Sequence, residues 1–366
     1  MRDRGKQAQE LELARRYVPA PPFEGLTEKQ MSLIMGLGRS LYKWFKAHTL
    51  FHNLINSAVI LLIFAADYFA LVRSPLLFIS PHHTNSLPSI LVASFVAGCL
   101  HSWILYSLSV FSLHEGAAHN IIFAGTGGLS RIAQSLSRNL CRLAGGEPDY
   151  YSACHMAHHA KFGSEDDPEF LNFIIPRRYW LTFLPLAAFI NFSDFLIHRP
   201  PAYTRGRVIS AVWSTVYNGA YAYAVYRLFG GMFCSLTMLV FLPHFGFYVD
   251  RLRQFTEHNL MPLENRNGAR SFGVGFWGMV VGGGPWGQPC HWAHHLVASI
   301  PWYQQIVLHR YIAGLLTPRQ QEQFLIQPLI GFPKMWWQLI RESNRMLRGL
   351  DSSILPPQKT AASRMI

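Results

Sequence analysis

Four stretches of this chain, residues 54–72, 89–111, 208–226 and 232–249, are apolar, contain no Lys or Arg, and are long enough or nearly so to span a bilayer. The first two are joined by a short Ser- and Pro-rich link from Arg73 to Pro88, the last two by a few residues around Gly230 and Gly231. They read as two hairpins with short outer turns. Composition agrees, with half of the residues apolar and only 14% charged, against roughly 25% in ordinary globular domains. Disorder, a coiled coil and a small secreted scaffold are excluded.

Only Arg73 and Arg227 fall in the outer turns, whereas Lys43, Lys46, Arg199, Arg205, Arg207, Arg251 and Arg253 flank the other ends. The positive-inside rule then places both termini and the long middle segment in the cytoplasm, in a bacterial inner membrane or the endoplasmic reticulum. The net charge of +12 on so apolar a chain points to anionic membrane lipid, with no nucleic acid as partner. A fifth apolar stretch, 180–197, carries Asn191 and Asp194; it is read as lying in the interface or under the cytoplasmic domain. The domain reading is 1–47, a cytoplasmic amphipathic segment; 48–312, the membrane domain; and 313–366, a cytoplasmic C-terminal helix and tail.

Residues 1–47 have no apolar core and are not a secretory signal. Thr27-x-x-Gln30 resembles a capping box. After it Met31, Ile34, Leu37, Leu41, Trp44 and Phe45 recur at helical spacing, giving either an interfacial helix or one packed on the body. The five cysteines form no CxxC, which argues against a disulfide framework or a thiolate-ligated metal.

The histidines carry the chemistry. His114 and His119 bracket Glu-Gly-Ala-Ala just past the second apolar stretch, His155-Met-Ala-His158-His159 follows, and His291-Trp-Ala-His294-His295 comes much later. His258 lies nine residues after the fourth stretch. On a helix HxxHH aims three imidazoles in one direction, while the i, i+5 pair of the first box stands about 140° apart and suits bracketing two ions. HxxHH is expected only about 0.04 times in a chain with this histidine content, and it occurs twice. Imidazole suits zinc, copper, iron and nickel, the absence of thiolates disfavours a structural zinc site, and so many imidazoles exceed the needs of one ion. Two irons with positions open to O2 are the economical reading.

At lower weight, Glu115, Asp166, Asp167, Glu169, Gln254, Glu257 and Asn259 lie beside the boxes and are candidates to bond the outer ring nitrogens of the histidines. Gln254 is one turn before His258 and is placed to hold a metal-bound water. Arg131, Arg138, Arg142, Arg177, Arg178, Arg266 and Arg270 offer a basic docking face for an acidic electron donor or lipid headgroups. His101 and His244, inside apolar stretches, are expected to bond a His or a Tyr, Asp67 to face water near the outer end of its span, and Cys154 and Cys290 to fill small buried spaces. Gly282-Gly283-Gly284 should end a helix ahead of the third box.

The three boxes resemble those of the membrane fatty acid desaturase and hydroxylase superfamily. The runs from His158 to Glu169 and from His294 to His309 add to the likeness, which covers roughly residues 50–312. The resemblance implies an all-α integral membrane fold, four transmembrane helices in two hairpins with a cytoplasmic helical cap holding a di-iron site. It implies His114, His119, His155, His158, His159, His291, His294 and His295 as ligands, with His258 as the additional one. It also implies O2 as co-substrate and hydrogen removal from an unactivated methylene of a fatty acyl or other lipid chain. No His-Pro-Gly-Gly haem signature is present, so electrons are expected from a separate ferredoxin, rubredoxin or cytochrome b5 with its reductase. A fatty-acyl desaturase is the first reading; a fatty acid hydroxylase or a terminal-alkene-forming decarboxylase of the same superfamily is the alternative. A metal transporter, the remote alternative, would set its histidines at the bilayer midplane, whereas the boxes here follow the span ends.

Overall fold

The computed structural model describes residues 23–80, 85–119, 121–124, 128–144, 146–164, 166–168, 204–264, 266–286, 288–326 and 331–354. Among them helix dominates and no strand forms; one isolated bridge pairs Ser271 with Leu325.

Helix α1 (Glu28–Ala47) starts at the expected capping box: Gln30 N–H donates to Thr27 Oγ1 at 3.2 Å and Thr27 N–H to Gln30 Oε1 at 2.8 Å. Its apolar face does not lie free. Ile34 and Phe45 are buried, and Gly38 sits so close to Val297 that a Cβ there would stand 2.8 Å from its methyl. The helix therefore packs on the body, next to the third histidine box.

Helix α2 (Thr49–Tyr68) continues through a π-turn (Phe69–Arg73) and a short 3-10 turn to Leu77. Helix α3 (Leu87–Val110) runs into a second π segment, Phe111–Ala118, which carries the first box. These two helices are long and apolar enough to cross a membrane. The third and fourth apolar stretches also form helices, α6 (Thr204–Phe229) and α7 (Gly231–Ser235, a π segment Leu236–Phe241, then Leu242–His258). Neither is both long and apolar enough: α6, at 26 residues, is long enough but too polar, and the apolar part of α7, Gly231–Phe241, is too short. Tyr217, Asn218, Tyr221, Tyr223 and Tyr226 dilute α6, and a polar end after Val249 dilutes α7. Gly230, at φ +87°, makes the reversal between them.

The four helices pack together. Leu71, Ala93, Ala97, Val225 and Phe233 close the end away from the boxes. Val59, Ile63, Ile104, Leu108 and Phe111 fill the layer beneath them. Between these layers the sequence expectation for Asp67 fails. Asp67 is fully buried, bonded to His101 Nδ1 and to the Tyr217 hydroxyl, and His101 Nε2 meets Asn218 Oδ1 at 3.2 Å. A carboxylate excluded from lipid by three helices finds its partners on the neighbours, so His101 takes an Asp and an Asn rather than a His or Tyr. His244 falls on α7 with its side chain outside the described residues, and 180–197 lies outside them entirely.

The other described helices are α4 (Gly128–Leu143), α5 (Pro148–Lys161), α8 (Phe276–Val281), α9 (His291–Leu296), α10 (Trp302–Leu315), α11 (Pro318–Phe324) and α12 (Gly331–Ile354). A core around the third box gathers Ile34, Trp292, Ile300, Leu308, Ile312 and Phe324. As expected, α8 ends at the glycine run. Gly283 and Gly284 have φ of +72° and +113°, and a Cβ on Gly283 would lie 2.9 Å from the Tyr106 ring.

Candidate metal centre

Three segments bring the histidines together: the π end of α3, helix α5, and the single turn and a half of α9. Each is held from behind. Glu115 anchors the first, since its backbone carbonyl accepts from Ile121 and Ile122 and its Oε2 from the Trp302 N–H at 3.2 Å. The loop that follows is tied to the start of α2 by His52, Asn53 and Asn56, which bond the carbonyls of Ile121, Ala124 and Ile122. Glu147 caps α5 by accepting from Tyr150 N–H. Behind α9, Trp292 is fully buried, stacks on Phe324 at 3.8 Å between ring centroids and donates its indole N–H to the Arg266 carbonyl.

The first box departs from the expected geometry. His119 N–H donates to the His114 carbonyl at 3.2 Å, an i+5 to i bond. In a turn bonded this way residues five apart fall on one face. Their rings therefore sit 5.1 Å apart and join one group instead of bracketing two. The HxxHH boxes also differ from expectation, because they do not aim all three rings one way. In each, the first and last histidine turn to one group and the middle one to the other. His114, His119, His155 and His294 form a first group with ligand atoms within 4.8 Å of one another; His158, His258 and His295 form a second. His159 joins the first, with Nε2 3.1 Å from that of His155 and 2.9 Å from that of His294. His291 joins the second, 2.8 Å from His258 Nε2 and 3.0 Å from His295 Nε2. All nine predicted histidines are thus brought together, with His258 among them.

Protons cannot account for these contacts. His158 donates Nδ1–H to Asp167 Oδ1 at 2.9 Å and His258 donates Nδ1–H to the Gly268 carbonyl at 3.1 Å, so each neutral ring presents a bare Nε2. His159 and His291 each have Nε2 against two other Nε2 atoms, and one ring nitrogen cannot be donor to one and acceptor to the other. The buried Nε2 of His114 has no hydrogen-bond partner. Nitrogens at adjacent positions around one ion, each about 2.1 Å from it, lie about 3.0 Å apart, which is the spacing seen. The residues fit two metal ions. Burial also keeps the rings in their ligating form. It pushes His291, His294 and His295 well below the usual imidazole range, with neighbouring imidazoles adding to the effect, and takes His119 down to about 3.

The carboxylates and amides beside the boxes are used unequally. Glu115 Oε1 lies 3.3 Å from His114 Nδ1, and Asp167 holds His158. Glu257 is fully buried and paired with Arg253. Gln254 donates to Asp250 Oδ2 at 2.9 Å, and Asn259 accepts from Ser343 on α12. Asp166 is at the surface beside Lys161, and Glu169 lies outside the described residues. The basic docking face is depleted. Arg270 is buried and donates to the carbonyls of Thr256, Asn259 and Gln323, Arg266 is bound to Glu28 and the Leu26 carbonyl, and Arg138 pairs with Asp149. Arg177 and Arg178 lie outside the described residues. Cys290 is fully buried as expected, whereas Cys154 is only half-buried. Sequence reading missed the Gly268 carbonyl, which no side-chain pattern reports. It also missed His52, Asn53 and Asn56, whose signal was polar residues at one-turn spacing in the start of an apolar helix.

No curated protein and no solved structure matches the chain. The model of the family described as fatty acid desaturase matches residues 89–325, from the start of α3 past α11 and so across all three boxes. By that match the chain belongs to the fatty acid desaturase family, whose members are membrane-associated oxidoreductases acting on lipid chains.

Proposed function

We propose that this protein is a fatty-acyl desaturase that introduces a C=C bond into a lipid chain, using O2 and electrons from a separate donor protein. The observation that carries the reading is the pair of interlocked imidazole groups, each drawing on both HxxHH boxes. His114, His119, His155, His159 and His294 would hold one iron ion, and His158, His258, His291 and His295 the other. When bound, two irons supply the O2-dependent chemistry that removes hydrogen from an unactivated methylene. The chain supplies orientation and dryness. Asp167, the Gly268 carbonyl and Glu115 fix the ring tautomers, so that Nε2 faces inward. Phe111, Ile122 and Trp292, all fully buried, keep water from the surroundings of the centre.

Purified wild-type protein should hold about two irons per chain, and His158→Ala or His294→Ala should lose metal while still inserting in the membrane. Expression with a ferredoxin or cytochrome b5 donor, in a host of defined fatty acid content, should yield a new unsaturated acid of unchanged length. A hydroxy acid as the main product would replace desaturation by oxygen insertion, and an alkene one carbon shorter by decarboxylation. Full activity in either alanine variant would sink the ligand assignment.

A further inference from the structure

The two groups are unequal, five imidazoles against four, and three acidic side chains stand against them. Two of these, Glu115 and Asp167, meet Nδ1 atoms, on the outer side of the rings. Glu257 differs. Its Oε2 lies 3.7 Å from Nε2 of His291, on the inner side where the nitrogens of the second group converge. Any two atoms bound to one ion at about 2.1 Å lie within about 4.2 Å of each other, so this carboxylate is within reach of the ion that His291 binds. Glu257 is fully buried and adjoins His258 at the end of α7. Arg253, one turn earlier and itself buried, donates to Oε2 and fixes the carboxylate. Asp250 and the Tyr106 hydroxyl hold the guanidinium in turn. A carboxylate has about four lone-pair sites and can accept from Arg253 and bind a metal at the same time.

Charge points the same way. Neutral imidazoles alone leave two divalent ions uncompensated in a dry interior, at high electrostatic cost. An acid held inside the ring of nitrogens offsets part of it.

We propose that Glu257 gives a carboxylate oxygen to the same ion as His158, His258, His291 and His295, so that each ion has five protein ligands. This rests on the two-iron reading above. The competing role is that of a counter-ion for Arg253, with no contact to metal.

The test uses the full-length protein in nanodiscs, loaded with ⁵⁷Fe and reduced, with iron content and Mössbauer spectra as readouts. Wild type should show two ferrous doublets. In Glu257→Gln one doublet should shift while the other stays, and a chelator should strip one iron at least about tenfold faster. If the Gln variant does not fold, Glu257→Asp, which keeps the charge but withdraws the oxygen by one methylene, should shift the same doublet. Two irons in wild type with both doublets unchanged in a folded variant would leave Glu257 as a counter-ion and overturn this proposal alone. Fewer than two irons in wild type would overturn the two-iron reading and this proposal with it.

Discussion

Asp167 shows what a single side chain contributes to the centre. One oxygen holds His158 Nδ1–H, and the other accepts the backbone N–H of Gly163 at 2.9 Å. Gly163, at φ +68°, turns the chain back after α5 so that Asp167, nine positions after His158, faces its ring. Asp167→Ala frees that ring to rotate and change tautomer. Iron retention by the second group should fall about tenfold to a hundredfold, with the fold intact by circular dichroism and gel filtration. Unchanged retention would show that packing alone orients His158. The acidic run after the second box was legible in the sequence, but its working member was not. Asp166 and Asp167 are neighbours, and only the turn at Gly163 decides that Asp167 is buried while Asp166 meets Lys161 at the surface. Asp67 was misread for a related reason. Its place near a helix end suggested water, and its burial depends on Tyr217 and His101, which come from other helices.

At the scale of elements, the histidine spacings announced the convergence of the imidazoles, and they misled only about direction. The expected separation of His114 and His119 assumed α-helical rise, and the π segment Phe111–Ala118 removes it by closing i+5 to i. A π-turn is an α-helix with one residue to spare, so length changes here should act asymmetrically. Deleting Ala118 leaves the two histidines four apart, about 40° from each other on a regular α-helix, and the first group should still form. Inserting one alanine after Gly116 sets them six apart, about 120° from each other on such a helix, and the first group should lose its ion. Iron content of the two folded variants measures this; equal loss in both would show that the π geometry itself is required. The division of each HxxHH box between two groups was likewise hidden. Members three apart and four apart leave a helix on opposite sides of the first ring, and only facing helices reveal which side holds which ion.

Across the whole molecule, the centre constrains how the chain threads the membrane. His155, His158 and His159 precede α6 and α7, while His258 ends α7 and His291, His294 and His295 follow it, yet His159 and His294 stand within hydrogen-bonding distance of each other. If this chain spans a bilayer, the stretch between Lys161 and His258 must cross it an even number of times. Helices α6 and α7, reversing at Gly230 and packed against α3, offer two crossings. Their hydropathy alone does not identify them as membrane helices, in part because Tyr217 and Asn218 on α6 turn to the buried Asp67 and His101 pair. If both cross, residues 180–197 cannot be a further crossing, in keeping with Asn191 and Asp194 within an otherwise apolar run. The expected outcome follows from this parity. In a variant with the native cysteines replaced, Ser193→Cys should react with a membrane-impermeant maleimide only from the side that holds the histidines, or only after detergent opening. A cysteine placed in the Gly230 turn, for which Gly231→Cys is suitable, should react from the opposite side. Labelling of Ser193→Cys and Gly231→Cys from the same face would make 180–197 a crossing or α6 and α7 a pair that never enters the bilayer, and either result would undo the four-helix topology while leaving the histidine centre in place.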